Sequence, residues 1–517
     1  MVNESRMQKS AKNMLSGMVY RFLTIITAFI VRTVFIKCLN NAYLSVNGLY
    51  SSILSMLSLA ELGFSTAIVY SMYKPLADTD YKKLAQIMCL YKKVYRYIGV
   101  FILVIGVCLI PFLDILIKNK PDIPGLTFYY ILFLLDSVLS YWFFAYRMSI
   151  LQADQKAYII SNCNSIFNLI KSVLQIVVLL WLHNFTIYLL MQMGCTILQN
   201  IVLAIKIGKE YPIFNKQLKE ELPREEKRRI FRDVKALMLQ KISFKVLNTS
   251  DSLIISAFVG INWIGLLSNY IMVQDAVVAV LTQITSSISA SLGNFFVKED
   301  SESGYILFKR IEFLNFWLYG FSAIAFAVLL NPFVELWIGE KYVLSEFVVV
   351  ALVLRFFVEG YMNMMSTFRS TLGLFTQGQY IPLVVAAINI FLSIGLSFPF
   401  GVAGVIIATP LARCCINVWY MPLIIHRDGF KKPVTSFYKR YLLRMILLFI
   451  VMFGMIMFSQ TVIASNGVTI VNFIVLTLFT AIVPNVVFSV VFFNTKEFKY
   501  FSEILKRVLF PCKYREN

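Results

Sequence analysis

The residues of this sequence best placed to do chemistry are ionisable side chains set inside long apolar runs. Arg21 and Arg32 lie in the first run, eleven residues or three helical turns apart, so they share a helix face. Lys241 and Lys245, with Asn248 and Ser252, form a second stripe in a run that also holds Asp251. Glu61 closes a polar face made by Asn47, Ser51 and Ser58. Asp275 lies with Ser268, Thr282 and Ser286, Lys171 follows Asn164 and Asn168, and Arg413 sits well inside a late run. A charge at the centre of a membrane helix costs roughly 2.5–3.5 kcal/mol, so each must pair, reach the interface or line water. As a set they are cationic with a few acids. That balance suits an anionic ligand such as a phosphate or diphosphate, which arginine binds through two parallel hydrogen bonds.

Other chemistries find no support. The eight cysteines, at 38, 89, 108, 163, 195, 414, 415 and 512, include no C-x-x-C pair and mostly fall in apolar runs, where they read as small hydrophobes. Two histidines, His183 and His426, argue no metal site. No G-x-x-x-x-G-K-[ST] nucleotide loop is present, and no cofactor motif is found. A membrane glycosyltransferase or polymerase needs a sizeable outer loop with catalytic acids; here the uncharged loops are short and hold no paired carboxylates. The chain therefore does not read as an enzyme. A non-transporting scaffold would leave the buried charges costly without purpose.

Some of these charges have a structural reading. Arg32 is close enough to a helix end to snorkel, and Lys241 lies within two turns of one. Arg355 and Glu359, four apart, satisfy each other across one turn. Asp136 and Arg147 share a face and can brace one helix. The serines and Tyr50 of the Tyr50–Ser58 segment suit either sugar hydroxyls or close helix packing.

The elements that must position these residues follow from composition. Of 517 residues, 59% are hydrophobic and 15% charged, and the mean hydropathy is +0.73. Apolar runs long enough to cross a bilayer, about 20 residues each, predict an all-α, polytopic membrane protein of about fourteen spans. The net charge of +20 sits in short segments between runs. This is the pattern of cytoplasmic loops and not of nucleic-acid binding. Loops at Lys74–Arg96, 209–235 and 427–440 are basic, whereas those at Asn40–Asn41, Gly260–Asn262, Pro399–Gly401 and Ser465–Gly467 are nearly uncharged. An even number of spans then places both termini in the cytoplasm. The predicted organisation is an N-lobe over 1–208, a basic connector over 209–235, a C-lobe over 236–426, two further helices over 427–493 and a basic, weakly amphipathic tail from 494. The second helix is expected to run unbroken from Ala42 to Tyr73, and Lys74–Arg96 to form an amphipathic surface helix with Leu84, Ile87, Met88, Tyr91, Val94 and Tyr95 on its apolar face.

The first twelve helices repeat. Arg147-Met-Ser-Ile-Leu with Gln155 and Tyr158 recurs as Arg369-Ser-Thr-Leu-Gly with Gln377 and Tyr380; Pro111-Phe-Leu-Asp recurs at Pro332-Phe-Val-Glu; Tyr50 recurs at Tyr270. The offset is near-constant at about 220 residues. Units of six helices enter the membrane the same way, so the repeats are parallel, an arrangement in which a substrate sits between halves that rock. The recurrence of Arg147 as Arg369 favours a scaffold role for both.

This pattern resembles the polysaccharide-flippase branch of the multidrug/oligosaccharidyl-lipid/polysaccharide (MOP) exporter superfamily. The segment Tyr43-Leu-Ser-Val-Asn-Gly-Leu-Tyr-Ser-Ser-Ile-Leu-Ser-Met-Leu-Ser-Leu-Ala-Glu-Leu-Gly-Phe, continuing to Tyr70-Ser-Met-Tyr-Lys-Pro-Leu, is similar to the first repeat of bacterial O-antigen and capsule-type (Wzx-like) flippases. The resemblance implies MATE-like lobes and export of undecaprenyl-diphosphate-linked oligosaccharide across the cytoplasmic membrane, with polysaccharide polymerase and assembly proteins as partners. It implies a cationic cavity, with Arg21, Arg32, Lys171, Lys241, Lys245 and Arg413 as candidates to meet the substrate. It also implies coupling to a proton or sodium gradient, for which Glu61, Asp251 and Asp275 are the candidates. Two related activities compete: flipping a peptidoglycan precursor, and cation-coupled drug antiport, although antiporters of this kind usually stop at about twelve helices.

Overall fold

A computed structural model of the chain describes residues 6–61, 64–212, 222–298, 301–374 and 377–509, with some side chains inside these ranges, Asn248 and Ser286 among them, outside the description. Cys512 and the middle of the 209–235 connector lie outside the described residues. The described chain is helical almost throughout and contains no strand. It divides into two compact units, 1–266 and 267–517.

The first unit contains α1 (Arg6–Cys38), α2 (Asn41–Leu57), α3 (Phe64–Ala77), α4 (Tyr81–Leu109), the single turn α5 (Leu113–Leu116), α6 (Leu126–Trp142), α7 (Met148–Ala153), α8 (Ala157–Leu182), α9 (Phe185–Glu210), α10 (Arg224–Ile254) and the start of α11 (Asn262–Lys298). Side-chain caps set several starts. Asn40 accepts the Ala42 N–H to open α2, Asp80 accepts the Lys83 N–H to open α4, and Asn184 accepts the Ile187 N–H to open α9. Each satisfies a backbone donor that the first helical turn leaves over. The end of α9 is stapled to the α7–α8 turn by Lys156, which reaches Asp154 at 2.6 Å and Glu210 at 2.5 Å. Burial alone would push the Lys156 ammonium down, but its bonds to Asp154, Glu210 and Tyr211 hold it above the ordinary lysine range.

The second unit contains the rest of α11, α12 (Ser301–Ile338), α13 (Glu346–Thr371), α14 (Ile381–Cys415), α15 (Asn417–Ile424), α16 (Thr435–Asn466), α17 (Ile470–Phe492) and α18 (Lys496–Leu509). Its core is aromatic, with Phe308, Phe316, Tyr319, Tyr361, Phe368, Phe437 and Phe488 almost wholly enclosed.

Eleven helices among the described residues are long and apolar enough to cross a membrane, and twelve if α6 and the bent Ala145–Ala153 segment, 43° apart, make one span. The expected number of about fourteen counts two further features. The 50-residue stretch Ile381–Phe430 is turned at Gly401, whose φ of +56° breaks the helix. The second span is two helices, each under 18 residues.

That split corrects the expectation of one helix from Ala42 to Tyr73. α2 ends at Leu57, a 3-10 turn runs from Ser58 to Glu61, and α3 resumes at Phe64. The amphipathic surface helix is also corrected. Lys74 ends α3, and α4 runs unbroken from Tyr81 to Leu109. The apolar face Leu84, Ile87, Met88, Tyr91, Val94 and Tyr95 is buried in protein, packed on α3 and α6, and not laid on a lipid surface. The Arg-Glu-Glu-Lys-Arg-Arg run at 224–229 is not loop but the first turns of α10. The tail is more strongly amphipathic than expected: Phe498 stacks on Trp317 and Phe501 on Phe313, while Lys496, Lys499 and Lys506 stay exposed.

The repeat has a structural counterpart. Tyr50 and Tyr270 are both fully buried. Tyr50 donates to the Leu126 carbonyl at 3.0 Å, at the start of α6. Tyr270 accepts from the Leu344 N–H at 2.9 Å, just before α13, the repeat partner of α6. Arg147 and Arg369 both donate to backbone carbonyls, of Ala204 at 3.2 Å and of Leu374 at 2.9 Å, which are bracing contacts.

Candidate functional site

A 3-10 turn, Ser58–Glu61, separates α2 from α3; within a membrane, irregular chain is tolerated only where protein or a water-filled cavity satisfies it. Glu61 stands at that break. Its carboxylate accepts the Tyr141 hydroxyl at 2.8 Å and also the Tyr95 hydroxyl. Tyr91 in turn donates to the Tyr95 oxygen at 2.9 Å. The three rings pack together, Tyr91 on Tyr95 at 4.5 Å and Tyr95 on Tyr141 at 5.5 Å. So α4 and α6 each send a phenol to one carboxylate at the end of the 3-10 turn. Among the described residues no arginine or lysine pairs with it.

Just past the break, Thr66 accepts from the Lys241 ammonium at 2.5 Å. α10 packs along both α2 and α3, and this contact ties it to the restart of the span. Lys245 lies one turn further along α10, half-buried. Asp251, two turns beyond, is 4% exposed. The structure therefore brings Glu61, Lys241 and Lys245 to α10 and the split span.

The other predicted cations of this unit lie elsewhere. Arg21 is exposed on α1, and Arg32 is half-buried beside Tyr188 of α9. α1 packs along α8, where Thr27 accepts from Asn168 at 2.9 Å. Lys171, further along α8, neighbours Asp136 of α6, whose carboxylate accepts from Gln192 at 3.1 Å. Asp136 is thus held by α8 and α9, whereas sequence spacing paired it with Arg147.

In the second unit, acids and bases neutralise one another. Arg413 is buried and donates to Glu359 at 3.0 Å, with Arg355 at 3.9 Å from the same carboxylate. Asp275 lies within electrostatic reach of Arg355 and Glu359. A second pair escaped sequence reasoning. Glu312 of α12 is bonded by Arg444 of α16 and by Tyr361 of α13, the latter at 2.5 Å. Both charges are buried, and Phe313, Phe316 and Phe492 face the guanidinium at 5.4–5.9 Å. In the sequence each sits just past a basic pair, Lys309-Arg310 and Lys439-Arg440, and reads as part of a basic helix end. Tyr91 and Tyr95 were missed for a different reason: their spacing fitted an amphipathic face, and Tyr141 on α6 carried no signal of its own.

One helix contact is unusually close. Where α11 starts, the Gly265 N–H donates to Ser45 Oγ at 3.1 Å, and the Asn262 carbonyl accepts from Asn41 at 3.0 Å and Ser45 at 3.3 Å. Nearby, Lys118 and Ser256 exchange a backbone bond at 3.1 Å, and Ser256 donates to the Leu116 carbonyl at 2.6 Å. The ends of α2, α5, α10 and α11 are stitched together.

This architecture is that of MATE/MOP-like membrane transporters. An inward-facing multidrug resistance MATE family transporter of the MOP superfamily superposes with a TM-score of 0.61 at 13% identity, covering 82% of this chain and 99% of that one. The lipid II flippase MurJ, in an inward closed conformation, superposes with a TM-score of 0.57 at 16% identity, covering 95% of this chain and 99% of that one. A MOP superfamily transporter from Pyrococcus furiosus, described as having a binding pocket of reverse polarity, gives 0.53 at 12% identity over 82% of this chain and 97% of that one. At such identities the likeness is one of fold. No family profile matches the sequence, and no curated protein matches it.

Proposed function

We propose that the chain is a flippase that carries a diphosphate-linked lipid saccharide from the cytoplasmic to the outer leaflet of a bacterial cytoplasmic membrane, for surface polysaccharide assembly. The observation that carries this reading is the split second span: a 3-10 turn bearing a carboxylate on phenols from two neighbouring helices, with Lys241 bonded to the first turn of α3. Transporters build substrate and ion sites at such discontinuities. Lys241 and Lys245 supply positive charge for a diphosphate beside it. Glu61 supplies the response to a coupling cation. As a carboxylate it accepts two phenol hydrogen bonds; protonation removes acceptor capacity, so at least one bond weakens and α4 and α6 loosen from the break.

The positive-inside rule puts the basic loops and both termini in the cytoplasm, so the stitched ends of α2 and α11 face outward. Cargo released outward must pass that contact, which has to open in each cycle. The lipid II flippase covers 95% of the chain against 82% for the drug transporter, which supports a lipid-linked cargo. The higher TM-score of the drug transporter favours the second reading, cation-coupled antiport.

Depleting the protein tests the two. Lipid-linked saccharide is expected to accumulate in the cytoplasmic leaflet, measured by accessibility to a membrane-impermeant glycan-modifying enzyme. Lys241→Ala and Lys245→Ala are expected to reproduce this while still inserting at normal levels. An unchanged leaflet distribution together with new drug sensitivity would overturn the flippase reading.

A further inference from the structure

We infer that a cleft where α3, α4 and α10 meet is a binding site for a neutral saccharide, the place where the head group of the cargo first docks. The cleft has a volume of about 430 Å³. That lies within the ~300–1,000 Å³ typical of small-molecule sites. It lies at the basic ends of these helices, the cytoplasmic side under the proposed orientation, and is separate from the Glu61 cluster.

Its walls are chemically mixed. Tyr70 and Tyr73 line it with rings that are 68% and 47% exposed, set edge to face with centroids 6.0 Å apart. Its lining carries three carboxylates, Asp78, Asp80 and Glu226, and three cations, Lys74, Lys83 and Arg229. The formal charge of the wall is therefore zero, which disfavours a free phosphate or nucleotide as the occupant.

Some of that polarity is already used. Lys83 pairs with Glu226 at 2.6 Å, joining α4 to α10, and Asp80 caps α4. Lys74, Asp78, Arg229 and the hydroxyls of Tyr70 and Tyr73 make no side-chain hydrogen bond or ion pair among the described residues. Unused donors and an unused acceptor thus converge beside two free aromatic faces. A sugar ring matches this arrangement: its hydroxyls both donate and accept, and its C–H face packs on an aromatic ring.

The inference rests on the proposed saccharide cargo. The test uses saturation-transfer difference NMR on the full chain in detergent. The neutral probes are cellobiose and N,N′-diacetylchitobiose, and uridine diphosphate is the anionic probe. The expected result is transfer to at least one disaccharide that falls fivefold or more in Tyr70→Ala/Tyr73→Ala and is kept in Tyr70→Phe/Tyr73→Phe. Transfer is also expected to fall in Asp78→Asn and to be undiminished by excess uridine diphosphate. No transfer to either disaccharide, transfer that survives loss of both rings, or displacement by uridine diphosphate overturns the site. The leaflet assay separates the two ideas. Trapped lipid-linked saccharide without disaccharide binding removes the cleft and keeps the flippase; binding with an unchanged leaflet distribution does the reverse.

Discussion

Gly265 gives direct access to the proposed transport cycle. A Cβ added there would stand 2.4 Å from Asn41 Oδ1, 2.5 Å from Ser45 Oγ and 2.9 Å from the Asn41 backbone oxygen. The two side-chain oxygens can rotate away, but the backbone oxygen belongs to α2 and cannot. Gly265→Ala therefore forces the ends of α2 and α11 apart. Overpacking of this kind costs roughly 1–3 kcal/mol. That amounts to a shift of about 5–150-fold away from the closed contact. Ser45 is fully buried in that contact, so a Ser45→Cys reporter in a cysteine-free chain is shielded from a membrane-impermeant maleimide. Adding Gly265→Ala is expected to raise its labelling rate by the same 5–150-fold. The converse lock is Ser45→Cys/Gly265→Cys. The new Cβ at 265 would face Ser45 Oγ, so once the helix ends have parted enough to seat it, a disulfide between the two cysteines ties them together again. Oxidation is expected to stop transport, and reduction to restore it. Full transport by the cross-linked protein, or unchanged labelling in Gly265→Ala, would refute the claim that this contact opens during the cycle.

Two further outcomes are expected. Glu61→Gln keeps the shape of the clamp but removes the charge, so transport in vesicles should lose its dependence on pH or sodium; a profile identical to the parent's would take coupling away from this residue. Glu312→Ala or Arg444→Met leaves its partner buried and uncompensated, a loss of roughly 3–5 kcal/mol, while Glu312→Leu/Arg444→Met together should recover much of it. Thermal unfolding in detergent reads this, and single variants that melt like the parent would show that the pair does not hold α16 to α12.

The membrane class, the span positions and the repeat were legible because each is written in runs of about 20 residues or in polar landmarks that recur. The split of the second span was not. Asn47 to Glu61 has no proline or paired glycine to announce a break, and α2 and α3 share one hydropathy profile. What ends α2 is tertiary: the phenols of Tyr95 and Tyr141 stabilise a turn with Glu61 at its end. Periodicity misled at the same place. Leu84 to Tyr95 has the spacing of a lipid-facing stripe, and nothing in it distinguishes burial against lipid from burial against α3 and α6. Candidate charges were found by type, but their partners came from other elements. Asp136 accepts from Gln192 with Lys171 only in electrostatic reach, and Arg413 bonds Glu359, across gaps that helix spacing does not encode.

Those partners sort the intramembrane charges by what they can do. A carboxylate bonded to arginine is already neutralised, and protonating it would strand the guanidinium in a low dielectric. Glu359 with Arg413 and Arg355, and Glu312 with Arg444, are of this kind, and both hold helices of the second unit together. Glu61 differs because both of its bonds come from neutral phenols, which stabilise the anion without cancelling its charge. Adding a proton or a cation there leaves no orphaned partner charge. It also lies at the end of the 3-10 turn that separates α2 from α3. Among the three coupling candidates, Asp275 shares its surroundings with Arg355 and Glu359, and Asp251 sits on a continuous helix. Of the three, Glu61 is therefore the residue we propose for coupling, while Arg413 braces α14 against Glu359 of α13.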